Sequence, residues 1–232
     1  MKKLNKNSIG IIGGMGPQAS ARMLEIMISM ASLEFNAING DDFPEIIVDS
    51  IPIPDFISDK KNIKPAFKML SDRVKKLNLL GISRFAIACN TAHIFINDLS
   101  QVSDSPFISM IDKVAKEVLK RKIKRIGLLA SPSTIKFNLY QKALKGKVET
   151  ILPSDKEIDL LENVIRNIIS GKNSSLDTKR LLSIAKSLER RGAEGIILGC
   201  TELPLIFPKD FILPVFDSLE ILSRSLLRKV YE

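Results

Sequence analysis

The sequence predicts an α/β protein built as two similar halves, each a parallel sheet covered on both faces by helices, and three observations carry that prediction. Short apolar runs of strand length alternate with longer amphipathic segments along the chain, the pattern left by strands joined through helical crossovers. The segment Arg125 to Thr134, RIGLLASPST, repeats the grammar of Ser8 to Pro17, SIGIIGGMGP, with Ile126-Gly127 standing 117 positions after Ile9-Gly10. The only two cysteines, Cys89 and Cys200, stand 111 positions apart, each closing an apolar run and each followed by polar residues. Two landmarks at nearly one spacing point to an internal duplication.

Ser8 to Ile12 is a strand, Gly13 to Gly16 a loop, and Pro17 a helix-opening proline. Pro17 to Phe35 carries Ala19, Met23, Ile26, Met27 and Met30 mostly three or four apart, which predicts an amphipathic helix. Pro44 to Ser50 is a strand, and the prolines at 52 and 54 stiffen the extended loop after it. From Ile63 the positions Ala66, Phe67, Leu70, Val74, Leu77 and Leu80 mark a helix stopped by Gly81, and Arg84 to Ala88 is the strand leading to Cys89. Ala92 to Leu99 reads as a short helix and Pro106 to Met110 as a buried strand. In the second half, helices are expected at Ile135 to Leu144, Asp155 to Ser170 and Leu176 to Arg191, and strands at Val148 to Leu152 and Gly195 to Leu198. Leu219, Leu222, Leu226 and Val230 share one face of a final helix capped by Asp217 or Ser218, which returns to the first half. The expected organisation is two pseudo-symmetric Rossmann-like domains, residues 1–110 with 215–232 carrying Cys89 and residues 111–214 carrying Cys200, with the active site in the cleft between them.

Composition narrows the function. The chain has 232 residues, 45% of them hydrophobic, which suits an ordinary globular protein. No apolar run approaches the roughly 18 residues needed to span a bilayer, so no membrane partner is expected. Met1 to Ser8 is short, polar and lysine-rich, unlike a secretory signal, so the expected compartment is the reducing cytoplasm, where thiols stay unpaired. The formal charge of +9 raises the question of nucleic acid. The lysines are spread along the chain, however, and the dense run Lys120 to Arg125 fits the end of a helix meeting its dipole, so nucleic acid is not an expected partner.

The chemistry gathers at the two cysteine turns, Cys89-Asn90-Thr91 and Cys200-Thr201-Glu202. Strand ends of parallel sheets are where such folds place ligands, and a thiol there serves as nucleophile, acid or base, or merely fills space. The glycine loop matches neither GxxxxGK[ST] nor a full GxGxxG, so nucleotide binding is not indicated; its backbone N–H groups suit a carboxylate instead. Two cysteines and one histidine make a poor zinc set at these spacings. His93, four positions beyond Cys89, reaches either the thiol or the local backbone. Inversion of a carbon stereocentre needs a base on one face and an acid on the other, and two cysteines from opposite walls supply that symmetry.

GGMGP at Gly13, CNTAH at Cys89 and GCTE at Gly199 together resemble the aspartate/glutamate racemase superfamily, most closely its aspartate racemase branch. The likeness extends to Ile53-Pro54-Asp55 and to the stretch from Glu189. The resemblance implies an isomerase, an amino-acid racemase that interconverts L- and D-aspartate without pyridoxal phosphate, metal or nucleotide, acting as a homodimer on a small-molecule substrate. It implies Cys89 and Cys200 as the acid/base pair. Substrate contacts would fall at Gly14 and Met15 in the glycine loop, at Asn90, Thr91 and Ala92, at Ser133 and Thr134, and at Thr201 and Glu202. Glu202 either caps the segment after it or binds the substrate ammonium.

One departure bears on the substrate. The Ile-Pro-Asp triplet is followed in similar aspartate racemases by an arginine that grips a carboxylate, whereas here Phe56 follows it. A bidentate clamp has no aromatic substitute. Lys172 is the candidate replacement cation. Glutamate or broad amino-acid specificity therefore stands as an alternative, beside a one-thiol isomerase or decarboxylase and a non-catalytic amino-acid-binding protein.

Overall fold

The first strand, β1 (Ile9–Gly13), is buried along its whole length, as a strand covered on both faces must be. It occurs in a computed structural model that describes residues 8–56 and 60–232. Within these residues the chain divides into two units, one of the described residues up to Met110 together with Leu219–Glu232, the other Ile111–Ser218.

In the first unit β1 is followed by α1 (Pro17–Phe35), β2 (Ile46–Ser50), α2 (Ile63–Asn78), β3 (Arg84–Ile87) and α3 (Ile96–Gln101). Pro17 opens α1, which buries Ala19, Met23, Ile26, Met27 and Met30 on one face and ends at Asn36 in the left-handed region, φ 58°. The sheet order is β2-β1-β3, all parallel. The strand expected over Pro106 to Met110 is reduced to one parallel bridge between Phe85 and Phe107. Met110 instead begins α4 (Met110–Lys120), which carries the chain into the second unit. The helix expected from Ala92 is a 3-10 turn at Thr91–Phe95 that runs on into α3.

The second unit contains β4 (Arg125–Ala130), α5 (Pro132–Lys136), α6 (Leu139–Leu144), β5 (Glu149–Ile151), α7 (Asp155–Ile169), α8 (Ser175–Arg190), β6 (Ile196–Gly199) and β7 (Val215–Asp217). Its sheet order is β5-β4-β6-β7, again all parallel. The single helix expected over Ile135 to Leu144 is broken, because Asn138 adopts φ 56° between α5 and α6. Reciprocal Ser154–Glu157 and Ser174–Asp177 bonds cap α7 and α8. Residues 215–217 pair with β6, so the chain returns to the first unit after Ser218 rather than at 215.

The duplication is visible in the register of each sheet. Gly10 lies beside Phe85, and Gly127 beside Ile196. A side chain on either glycine would collide with its neighbour, since a Cβ would sit 2.9 Å from Phe85 Cδ1 or 2.7 Å from Ile196 Cδ1. Both glycines therefore let a large residue of the adjoining strand fold across the sheet. Four residues beyond that large residue comes a cysteine, Cys89 in one unit and Cys200 in the other.

The last helix, α9 (Ser218–Tyr231), belongs to the first unit from Leu219 onward. Arg224 forks the carboxylate of Glu34 on α1 at 2.8 Å. Tyr231 stacks on Phe35 with ring centroids 4.8 Å apart and donates its hydroxyl to the Asp42 carbonyl. No helix among the described residues is long and apolar enough to cross a membrane.

Candidate active site

Cys89 follows β3 by two residues and Cys200 follows β6 directly. Both are buried thiols not joined in a disulfide. The strands bring them to the carboxyl ends of their sheets, as the apolar runs before them predict.

Around Cys89 the turn is held by main-chain and imidazole contacts. Ala88 N–H donates to the Ile12 carbonyl at 2.8 Å, and His93 N–H to the Asn90 carbonyl at 3.1 Å. His93 Nε2 accepts the Met110 amide N–H at 2.9 Å, so Nδ1 carries the proton and donates to the Cys89 carbonyl at 2.8 Å. Both ring nitrogens are therefore engaged with the backbone, which settles the choice between thiol and backbone left open by the sequence. Asn90, Thr91 and Ala92 are buried in the same turn.

Cys89 shares an apolar cluster with Ile51, Phe56 and Phe95, against which Met15 also packs. Phe56 is only 4% exposed. Its ring centroid lies 5.8 Å from that of Phe95, which in turn lies 5.5 Å from Phe67. The residue that replaces the expected guanidinium is thus an anchored element of the core, and its ring has no N–H group to grip a carboxylate.

The glycine loop beside β1 is tightly folded. Gly14 has φ 92°, and a Cβ there would lie 2.5 Å from Ile51 N, so only glycine fits. The Gly14 N–H donates to Ser20 Oγ at 2.9 Å. That amide is thus bonded to the first turns of α1.

Around Cys200, side-chain contacts join the backbone bonds of the turn, in which Leu203 N–H donates to the Cys200 carbonyl at 3.2 Å. The thiol lies 2.9 Å from Glu202 Oε2, and the Thr201 hydroxyl donates to the same oxygen at 3.1 Å. Glu202 is 1% exposed, and although it precedes the 3-10 turn Leu203–Leu205 its side chain makes no capping bond. Of the two roles left open for Glu202, capping is not made, and the side chain faces the thiol. The contact is a ready path for a proton between the thiol and the carboxylate, the arrangement of a nucleophile or base with an adjacent proton acceptor.

Tyr140 was not anticipated from sequence. Its ring packs against Gly199, where a Cβ would stand 3.0 Å from Tyr140 Cε2. Burial pushes its phenol well above the ordinary range, with Asp217 and Cys200 adding to the effect, so it remains a neutral hydroxyl. Nothing in a lone tyrosine on a short amphipathic helix marks it in advance. Thr134 donates its N–H to Ser131 Oγ at 3.2 Å, and Ser131 donates its hydroxyl to Thr134 Oγ1 at 3.0 Å. These bonds build the start of α5, where Ser133 is also buried. Lys172 occupies the exposed turn after α7, with its N–H bonded to the Asn167 carbonyl at 2.9 Å. Among the described residues, no group of three or more His, Cys, Asp or Glu side chains is arranged to hold a metal.

Two units with matched registers and a cysteine at the same place in each have clear counterparts among known proteins. The Asp/Glu/hydantoin racemase family matches residues 12–226. The chain belongs to that family. It is 27% identical to the broad specificity amino-acid racemase RacX of Bacillus subtilis, over 94% of this chain and 95% of that one. Among solved structures it is similar to Picrophilus torridus aspartate racemase, with a TM-score of 0.85 and 28% identity, covering 97% of this chain and 94% of that one. It is also similar to an aspartate racemase homologue from Pyrococcus horikoshii OT3, with a TM-score of 0.79 and 32% identity, covering 97% of this chain and all 100% of that one. The α/β architecture with two parallel sheets is the fold of this family, and the chain is an amino-acid racemase of it.

Proposed function

We propose that the protein racemises amino acids without a cofactor, using Cys89 and Cys200 as the two acid/base groups. The observation that carries this reading is the pair of buried thiols at equivalent positions of two equivalent sheets, each four residues beyond the large side chain that crosses a strand glycine. One thiolate removes the α-proton and becomes a thiol. The opposite thiol gives its proton to the other face of the planar carbanion and becomes a thiolate. Protons balance over the cycle, and the reverse reaction uses the opposite starting pattern. The mechanism requires both thiols at one substrate.

Glu202 prepares Cys200. When Cys200 is to act as base, its proton passes to Glu202 Oε2 along the 2.9 Å contact, and Thr201 donates to the same oxygen. Asn90 and Thr91 are the proposed donors to the substrate carboxylate and to the developing carbanion charge. Ala92, Ser133 and Thr134 remain proposed as wall residues. The same reading keeps the enzyme in the cytoplasm as a homodimer.

Aspartate is the substrate that the sequence resemblance implies. The burial of Phe56 against Phe95 and the likeness to a broad specificity racemase favour a wider range that includes neutral side chains. A chirality assay of the purified protein on L- and D-aspartate, glutamate and a panel of neutral amino acids, without added cofactor, tests both points. Racemisation of neutral amino acids supports the broad reading, and racemisation of aspartate alone rejects it. Ligand binding with no racemisation of any amino acid would sink the enzymatic reading and leave an amino-acid-binding protein.

A further inference from the structure

We propose that His93 is a positioning residue for Cys89: a neutral imidazole that ties the Cys89 turn to the first residue of the helix by which the chain leaves its unit. Three observations carry the inference. The Met110 N–H donates to Nε2 at 2.9 Å and Nδ1–H donates to the Cys89 carbonyl at 2.8 Å, so one ring bridges the two backbone groups. His93 is 4% exposed, and an imidazolium would set an N–H against the Met110 N–H inside the fold. Met110 is both the last residue of its unit in this part of the chain and the first residue of α4. A helix start leaves N–H groups without intrahelical partners, and His93 accepts one of them.

The second unit repeats the arrangement by other chemistry. Ser218 is the last residue of that unit and the first of α9. Its buried hydroxyl donates to the carbonyl of Leu198, two residues before Cys200, at 2.9 Å. Each point where the chain changes unit is thus tied, inside its own unit, to the region of its cysteine, directly by Ser218 and through the His93 ring by Met110. For Cys89 the consequence is direct. The carbonyl that His93 holds sets the ψ angle of Cys89, and the Ala88 to Ile12 bond holds the preceding residue, so the direction of the Cys89 Cα–Cβ bond is fixed from both sides.

The proposal depends on the racemase reading only for its kinetic readout, because the tautomer and the thiol reactivity are measured without substrate. The chain has one histidine, so labelling with 15N-histidine gives a single pair of ring-nitrogen resonances in the full-length protein. A protonated Nδ1 and a bare Nε2 at the assay pH are expected; an imidazolium or an Nε2–H tautomer overturns the proposal. His93→Gln keeps an acceptor near Met110, His93→Asn keeps a donor near the Cys89 carbonyl, and His93→Ala keeps neither. In the Ala variant the rate at which iodoacetamide alkylates Cys89 shifts in either direction by about tenfold or more, since misplacing a reactive group by about 1 Å changes rates by up to about a hundredfold, while that of Cys200 in the same sample stays within about twofold. Its kcat falls by about tenfold with KM little changed, and Gln or Asn restores part of the loss. Equal changes at both cysteines, or none at either, overturn the proposal. If the Ala variant does not fold, the wild-type tautomer and the Gln and Asn variants decide the question.

Discussion

Replacing Glu202 by Gln keeps the shape of the side chain and removes its capacity to take a proton. In the structure this carboxylate is 1% exposed and accepts from both the Cys200 thiol, at 2.9 Å, and the Thr201 hydroxyl, at 3.1 Å. A hydrogen bond to a charged group contributes roughly 1.5–3 kcal/mol, which corresponds to roughly ten- to a hundredfold in rate. A general base contributes roughly a hundredfold or more, so the expected loss in kcat/KM is about a hundredfold. Enantiomers have equal free energy in an achiral solvent, so kcat/KM must fall by the same factor in both directions. Chiral chromatography of initial rates from pure L- and pure D-substrate measures it. Thermal stability should change little, because the amide keeps an acceptor oxygen for Cys200 and Thr201 and opens no cavity. A Gln variant within about threefold of wild type in either direction would refute the assignment of Glu202 as the partner of Cys200.

Three further predictions rest on separate parts of the structure. Gly14→Ala forces a Cβ to 2.5 Å from Ile51 N at a backbone φ of 92°, and should cost about 2–4 kcal/mol in urea denaturation; a loss below about 1 kcal/mol would contradict the loop geometry. Arg224 holds the Glu34 carboxyl below its ordinary value, chiefly through their hydrogen bonds, and both side chains are about a third exposed. Solvent screening therefore limits the loss in Arg224→Ala to about 0.5–1 kcal/mol at pH 7. Because the folded pKa is the depressed one, that contribution is present above the ordinary glutamate value and disappears as pH falls through the lowered value. Parent and variant stabilities should converge in acid below that lowered value, and a gap that widens in acid would overturn the pairing. Burial raises the phenol of Tyr140 well above that of an ordinary tyrosine, so in an alkaline absorbance titration Tyr231 should ionise first and Tyr140 only with unfolding. The fold loses stability as pH rises past the ordinary phenol value, since the unfolded chain then releases a proton that the folded chain retains.

The elements that sequence foretold are those fixed by local pattern. Helix α1 follows from Pro17 and the spacing of Met23, Met27 and Met30, and the cysteine turns follow from apolar runs that end in polar residues. The repeated Ile-Gly pair disclosed the duplication because each glycine answers a packing demand of the neighbouring strand, from Phe85 and from Ile196. What escaped depends on residues distant in the chain. Asn138 reads as an ordinary helical residue until its left-handed backbone splits α5 from α6. Val215–Asp217 is too short to declare itself as a strand, and only pairing with β6 makes it one. The cysteines, Thr201 and Glu202 were legible as a group by type and order. Their roles were not, because the turn of Glu202 toward the thiol rather than toward the following amides is a tertiary choice. Likewise His93 finds Met110 seventeen residues ahead, and Tyr140 reaches the Cys200 strand from α6.

The central claim, that two thiols act from opposite faces, is tested most directly by deuterium incorporation in the first turnovers. L-substrate carrying ordinary hydrogen at the α-carbon is incubated with enzyme in deuterated water, and both enantiomers are recovered early and analysed by chiral separation and mass spectrometry. The D-product is expected to carry deuterium at the α-carbon while the recovered L-substrate keeps its hydrogen, with the mirror result when the reaction starts from the D-enantiomer. Equal deuterium in recovered substrate and product would mean that one base serves both faces, and would contradict the account.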